Sequence, residues 1–522
     1  MTMASHTSPH SPSYLPSARR AVGRSSWFAR LLAAVLILAM LAAWAPVFNV
    51  SLGSAPATSP QLLVLARQAP EQPVRVIVQT RNMEQTRTWI QATGGVVLKD
   101  LSIIQAVVAE IPAASIQDLA YQPTVRWISL DAPVERSGFQ EKKPSPSNGE
   151  PVNTFLDTLG VRDLWAEGID GTGIGVAVID SGVTWDGDFT VNPVRKSFNS
   201  NSTTVNDVYG HGTHVAGIIA GNGTDSDGSY MGVAPGVTLI SLKISDENGM
   251  AYESDTVEAL QWVLENKETY NIRVVNLSIN ATQEMSYHVS PLDAAAEILW
   301  FNGIVIVASA GNYGLDTEFN PVKAAPANDP FIITVGASDE KGTSRRNDDD
   351  IALWSAWGAT LDGHEKPDIV APGKDIVSVL SGLSDWDTQH PDRVVLNGEY
   401  FRLSGTSMAA PMVTGAVALL LQDEPNLTPD QVKHRLLATA GTVDLFQSYP
   451  YLDIYAAVHG STTESANTGL EASQLLWTGS DSVTWGSVNW NSVNWNSVNW
   501  NSVNWNSVNW NSVNWNSTYF GD

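Results

Sequence analysis

Three residues far apart in the chain have the types and surroundings for covalent chemistry: Asp180, His211 and Ser407. Ser407 lies in Leu403-Ser404-Gly405-Thr406-Ser407-Met408-Ala409-Ala410-Pro411. Residues 409–421 are apolar nearly all round, which predicts a buried helix. Ser407 is expected at or just before its start, a position serine favours as an N-cap. Gly405 is expected to supply a tight turn, and Pro411 to fall in the first helical turn, where it is tolerated. A hydroxyl there faces unpaired backbone N–H groups and the positive end of the helix dipole. Acyl transfer would place an oxyanion in that position, although a lone serine before a helix is ordinarily only a cap. Asp180 directly follows the apolar run Gly175-Val176-Ala177-Val178-Ile179, and a carboxylate there is costly without a partner. His211 opens Gly210-His211-Gly212-Thr213-His214-Val215-Ala216-Gly217 at a helix start. A hydroxyl needs a base, an imidazole base needs a fixed tautomer, and a buried carboxylate provides that. The three form a coherent set if the fold brings them together. A Gly-x-Ser-x-Gly elbow is absent, because Ala409 stands at its fifth position, which disfavours an esterase.

The elements that must position these residues lie between 152 and 458. Continuous apolar runs at 175–179, 239–244, 274–279, 304–308 and 332–335 read as buried strands. Helical stretches fall between them at 214–221, 254–268 and 291–301. That alternation predicts an α/β fold with a mostly parallel sheet covered on both faces. Ligands in such sheets sit beyond the carboxyl ends of the strands.

The remainder of the 522 residues divides by texture. The net charge of −25, from 54 acidic and 29 basic residues, argues against nucleic acid as a partner. The absence of cysteine excludes disulfides, thiolate metal sites and a cysteine nucleophile. Residues 1–57 join a basic start, an apolar stretch at 31–48 and a small-residue exit. That describes a signal peptide or, read as a retained span, a membrane anchor, and predicts a secreted or extracytoplasmic protein. Residues 60–135 alternate as β-α-β-β-α-β: strands at 75–80, 96–98, 103–111 and 125–130, helices at 83–92 and 112–121. This order suggests a small ferredoxin-like α+β unit. Residues 136–151 and 459–481 read as polar linkers. From 482 to 522 the unit Ser487-Val488-Asn489-Trp490-Asn491 recurs, a period that fits neither helix nor strand. Such a tail suits a disordered but adhesive segment, a small β-helix, or attachment to a cell surface or polysaccharide through exposed tryptophans.

The motifs around Asp180, His211 and Ser407, in that order, resemble those of the subtilases, the subtilisin-like serine proteases of secreted bacterial type. The order itself is a known example of the triad. The resemblance covers 152–458 and implies a subtilisin-like three-layer fold and a serine endopeptidase that acts on proteins or peptides. It implies Asn312, in Val307-Ala308-Ser309-Ala310-Gly311-Asn312, as the side-chain donor to the oxyanion. It implies a substrate cleft between the edge Ser278, Ile279, Asn280 and the edge Gly249, Met250, Ala251, with Ala310 and Gly311 beside it. An extended peptide would add there as a strand. The family usually carries glycine where this chain has Asn280, which bears on the width of the specificity pocket. Residues 60–135 then resemble the inhibitor-type propeptide of an autoprocessed zymogen, with the maturation cut in the following linker. The chemistry needs no cofactor. Asp225 and Asp227 are candidate calcium ligands by position and type, though a solvated acidic turn explains them equally. His214 reads as a structural helix residue and not a metal ligand. Because a histidine base must be neutral to act, activity is expected to rise through about pH 6 to 7 and persist into the alkaline range.

Overall fold

The computed structural model describes residues 57–136, 151–185, 187–314, 321–444 and 448–476. The expected leader, most of the first linker and the repeat tail lie outside them. The chain opens with helix α1 (Pro60–Gln68), where the Ser59 side chain accepts from the Leu62 N–H. There follow β1 (Pro73–Thr80), α2 (Met83–Ala92), β2 (Val96–Leu101), β3 (Ala106–Pro112), α3 (Ser115–Ala120) and β4 (Val125–Leu130). The strands form an antiparallel sheet of order β2-β3-β1-β4.

The central strand β1 is buried on both faces, for two different reasons. Val74, Val76 and Val78 face the unit's own helices, among Leu62, Ile90, Ile116 and Leu119. Ile77 and Val108 face the other way and join the core of the rest of the molecule. Polar contacts line that junction. Lys99 bridges Asp255 (2.6 Å) and Glu258 (2.8 Å). Asp131 accepts from the Ser254 N–H (3.0 Å) and hydroxyl (2.9 Å) and pairs with Arg75 at 2.8 Å. Asp131 thus supplies negative charge to the N-terminus of the helix that starts at Glu253. The chain then forms β5 (Pro133–Arg136), which leaves the small sheet and pairs elsewhere.

The larger part is built on a ten-stranded sheet. Its elements in chain order are β6 (Gly175–Asp180), β7 (Val194–Ser197), α4 (His211–Ala220), β8 (Thr238–Lys243), β9 (Ala251–Tyr252), α5 (Glu253–Asn266), β10 (Ile272–Leu277) and β11 (Ile279–Ala281). They continue with α6 (Pro291–Phe301), β12 (Val305–Ser309), β13 (Ile333–Asp339), β14 (Ile369–Pro372), α7 (Thr406–Asp423), α8 (Pro429–Thr439), β15 (Gly441–Asp444) and β16 (Ser448–Tyr451). The sheet order is β15-β16-β14-β13-β12-β10-β6-β8-β7, with a short strand at 350–351 on β13. From β16 through to β7 the pairs are parallel; β15 and the short strand are antiparallel. Every residue of β6 and β12 is buried, as a sheet covered on both faces requires. β6 and β10 are neighbours, and Asp180, Ser278 and Ser309 all stand at carboxyl ends of this central group.

Helix α7 is buried along residues 406–421, in line with its apolar composition. Its start differs in detail from the sequence expectation. Gly405 is the N-cap with φ 167°, so it is extended and makes no left-handed turn. Ser407 is the second helical residue, and Pro411 is the sixth, past the first turn. The second expected linker is also not free chain up to residue 476. Asn467 Nδ2 donates to Asp430 Oδ1 (2.8 Å), Tyr287 donates to the Glu471 carbonyl (2.6 Å), and the Ser473 N–H donates to Glu297 Oε2 (2.8 Å). Leu475 and Leu476 are buried. This strap also meets the N-terminal unit: Gln79 Nε2 donates to the Leu475 carbonyl (2.8 Å) and Arg126 to that of Gln474 (2.9 Å). Polarity made the segment read as a linker, whereas its polar groups are spent on anchoring.

Candidate active site

Asp180 ends β6 and His211 begins α4, and the fold brings them into direct contact. His211 Nδ1 lies 2.8 Å from Asp180 Oδ1 and 3.0 Å from Oδ2. Two glycines permit this. Gly210 adopts φ 106°, a left-handed conformation that glycine takes without cost. A Cβ on Gly212 would stand 2.1 Å from the Gly182 carbonyl oxygen, so only glycine lets the helix approach the strand end so closely. Asp207, fully buried, ties down the helix start by accepting from the Gly210 N–H (2.7 Å), the Thr213 N–H (2.8 Å) and the Thr213 hydroxyl (2.8 Å). Burial alone would raise the Asp180 carboxyl. The charge and hydrogen bond of His211, with Arg136 and the Ser181 N–H, outweigh it and hold Asp180 below the usual carboxylate range. The carboxylate is therefore ionised and fixes the imidazole with Nδ1–H toward itself. The other nitrogen, Nε2, is buried and has no hydrogen-bond partner among the described residues.

Ser407 is fully buried and lies against Ser278, the residue between β10 and β11. Its hydroxyl donates to the Ser278 carbonyl at 3.2 Å, and the Ser278 hydroxyl donates to the Ser407 carbonyl at 3.0 Å. Asn276 Nδ2 in turn donates to the Ser278 hydroxyl at 2.9 Å. Asn312 follows β12. Its Oδ1 accepts from the Thr406 N–H (2.9 Å) and hydroxyl (3.0 Å), which directs Nδ2 the other way. The Gly311 N–H donates to the same Thr406 hydroxyl (3.1 Å). Thr406 was not among the residues singled out from the sequence. Its signal is a hydroxyl beside Ser407, but its contacts depend on β12 meeting α7.

The edges expected to grip an extended peptide lie on either side of β5. β11 pairs antiparallel with it in the register Ile279 to Arg136, Asn280 to Glu135 and Ala281 to Val134. On the opposite side Ala251 pairs with Val134. Gly249 and the exposed Met250 precede that edge, and the Gly249 carbonyl accepts from Arg136 Nη2 at 2.9 Å. Arg136 lies 4.0 Å over the Tyr209 ring, with Nε 3.7 Å from Asp180 Oδ1. Arg136 carries no local signal: the expected linker begins at this residue, which is instead strand. Ala310 and Gly311 are held by the Val335 carbonyl and Thr406, at the end of β12.

His214 is fully buried, and Nε2 donates to the Phe401 carbonyl at 2.9 Å. Burial pushes its pKa down to about 3, so it is neutral and structural. Asp225 donates its N–H to Asp188 Oδ1 at 3.2 Å, and Asp227 has φ 48° in the turn that follows. Among the described residues no three His, Cys, Asp or Glu side chains converge as metal ligands.

A buried carboxylate–imidazole pair and a serine at a helix N-terminus are the groups that a serine-nucleophile hydrolase requires. The chain belongs to the Subtilase family, whose peptidase S8 model matches residues 171–474. It is 38% identical over 275 residues to serine protease AprX of Bacillus subtilis (strain 168), across 51% of this chain and 61% of AprX. It is 34% identical over 275 residues to subtilisin DY of Bacillus licheniformis, across 53% of this chain and 86% of that one. The structure resembles that of fervidolysin from Fervidobacterium pennivorans, a keratinolytic enzyme related to subtilisin. The TM-score is 0.59 at 25% identity, covering 77% of this chain and 63% of that one. The chain thus spans less than two thirds of the length of AprX and of fervidolysin. The α/β architecture is subtilisin-like. No helix of the described residues is long and apolar enough to cross a membrane.

Proposed function

We propose that the chain is a serine endopeptidase, exported and made as a self-inhibited precursor. The observation that carries this reading is a peptide strand, β5, seated between β9 and β11, with its Arg136 Nε 3.7 Å from Asp180 Oδ1. His211 Nε2 takes the proton of Ser407 as the hydroxyl turns away from the Ser278 carbonyl. Ser407 Oγ attacks the substrate carbonyl. The backbone N–H of Ser407 and Nδ2 of Asn312 hold the oxyanion. His211 then gives its proton to the leaving amine, and water releases the acyl-enzyme by the same path in reverse. Asp180 keeps the imidazole oriented and stabilises its charged form. No cofactor enters these steps.

The same observation supports reading residues 60–135 as an inhibitory propeptide, with Arg136 reaching Asp180 and the maturation cut in the chain that follows. The basic, apolar leader supports export. The Trp/Asn repeat tail remains a candidate for holding the enzyme to a surface or polysaccharide. The test is Ser407→Ala in the full chain. It should stay a single uncut polypeptide and lose casein digestion. A purified Ala variant that still matures and digests casein overturns the assignment. Deleting 482–522 should leave peptidase rates unchanged while reducing surface retention; unchanged retention removes the anchor role.

A further inference from the structure

Strand register shows where a substrate's side chains point. Arg136 of β5 stands opposite Ile279, and Glu135 opposite Asn280. Directly opposed residues of an antiparallel pair share a sheet face, and successive residues alternate. Arg136 and Ile279 thus lie on one face, and the guanidinium on that face reaches Gly249, Tyr209 and Asp180. Ser278 and Asn280 lie on the other. Their side chains run to the Ser407 carbonyl and the Ser309 carbonyl. A peptide that continues the path of β5 by one residue comes opposite Ser278, and so meets the Ser407 hydroxyl. The side chain of that residue points onto the Ser278–Asn280 face, toward the end of β12.

Asn280 stands in that space. Its Nδ2 donates to the Ser309 carbonyl at 3.1 Å, and the residue is buried. One wall of the space is β11. The other is the chain from Ser309 to Gly311, fixed by the Ala310 N–H on the Val335 carbonyl and the Gly311 N–H on Thr406. The Asn280 amide spans from wall to wall. We infer that Asn280 bars the pocket for the residue on the acyl side of the scissile bond, so that the enzyme cleaves after small residues such as glycine, alanine and serine. A large aromatic or branched side chain would have to displace the amide from its acceptor inside a buried site. This inference rests on the proposed peptidase activity and narrows its substrate class.

The test uses the matured full-length enzyme on peptides that differ only in that one residue: Gly, Ala, Ser, Leu or Phe. Active-site titration sets the concentration of folded enzyme, so a poorly folding variant is not mistaken for an inactive one. Wild type should favour Ala over Phe by at least about tenfold in kcat/KM, within the range a few side-chain atoms can impose on a pocket. Asn280→Gly should move the Phe/Ala ratio by about 10- to 100-fold toward Phe, and Asn280→Ala by less in the same direction. Cleavage sites in a denatured protein, mapped by mass spectrometry, should shift in parallel. An active wild type that favours Phe, or an unchanged ratio in both variants, overturns the role of Asn280 and leaves the peptidase assignment standing. Failure of the titrated wild type to cut any peptide overturns both.

Discussion

Ser278 and Ser407 exchange two hydrogen bonds, each hydroxyl donating to the other's carbonyl, at 3.0 and 3.2 Å. Pro411 explains one of them. It has no N–H, so the carbonyl four residues earlier, that of Ser407, loses its helical donor. The Ser278 hydroxyl supplies the missing bond. A proline past the first turn is thereby accommodated, and the backbone of Ser407 is tied to the segment between β10 and β11. Ser278→Ala leaves a buried carbonyl without this donor, at a cost of about 1–3 kcal/mol. The expected drop of several degrees in Tm is measurable in a Ser407→Ala background, which prevents autolysis. An unchanged Tm would mean that the bond has no net worth.

Asn312 and Thr406 should separate chemistry from binding. Asn312→Ala is expected to lower kcat by about 10²–10³, a magnitude established for such a donor in subtilisin, with KM nearly unchanged. Thr406→Val keeps Asn312 but removes one of the two bonds that aim it. It should lose roughly tenfold in kcat, the size of one neutral hydrogen bond. Steady-state kinetics on one peptide decide both, and a rise in KM instead of a fall in kcat would contradict the oxyanion role.

Arg136 should hold the precursor closed. Its guanidinium bonds the Gly249 carbonyl, covers Tyr209 and approaches Asp180. Arg136→Ala removes a charged hydrogen bond and a cation–π contact, together worth about 2 kcal/mol or more. Peptidase activity of the enzyme still bound to its N-terminal unit should rise at least about tenfold. No change would place the inhibitory strength elsewhere in that interface.

His214 makes stability fall with acid. Its pKa is pushed from 6.5 to about 3 by burial. Between these values the unfolded chain binds a proton that the folded chain does not. The contribution is complete above about pH 6.5 and is lost progressively down to about pH 3, at about 1.4 kcal/mol per pH unit. Unfolding of the Ser407→Ala protein across pH 4–7 should show this slope, and His214→Gln should flatten it. Equal slopes would sink the attribution.

The sequence made the strand-and-helix alternation legible because burial on both faces leaves continuous apolar runs. Helix α6 and strand β4 begin and end where periodicity places them, at Pro291–Phe301 and Val125–Leu130. Asp180, His211 and Ser407 were legible because each sits at an element boundary where its residue type needs a reason. What escaped was tertiary. Arg136 and Thr406 gain their roles from partners more than 40 residues away, and no local pattern carries that. The start of α7 departs from the local habits of glycine and proline. Here Gly405 is merely extended, and Pro411 is compensated by a hydroxyl from another strand. Polar composition likewise concealed the strap at 466–476.

That strap joins the fates of the two ends of the described chain. Gln79 and Arg126 of the N-terminal unit donate to the carbonyls of Leu475 and Gln474. If the N-terminal unit departs, both carbonyls lose these donors and must turn to water, at the point where the chain runs on toward its repeats. Removal of the first unit is therefore felt at the last one, and a spectroscopic label near Leu475 would time that departure.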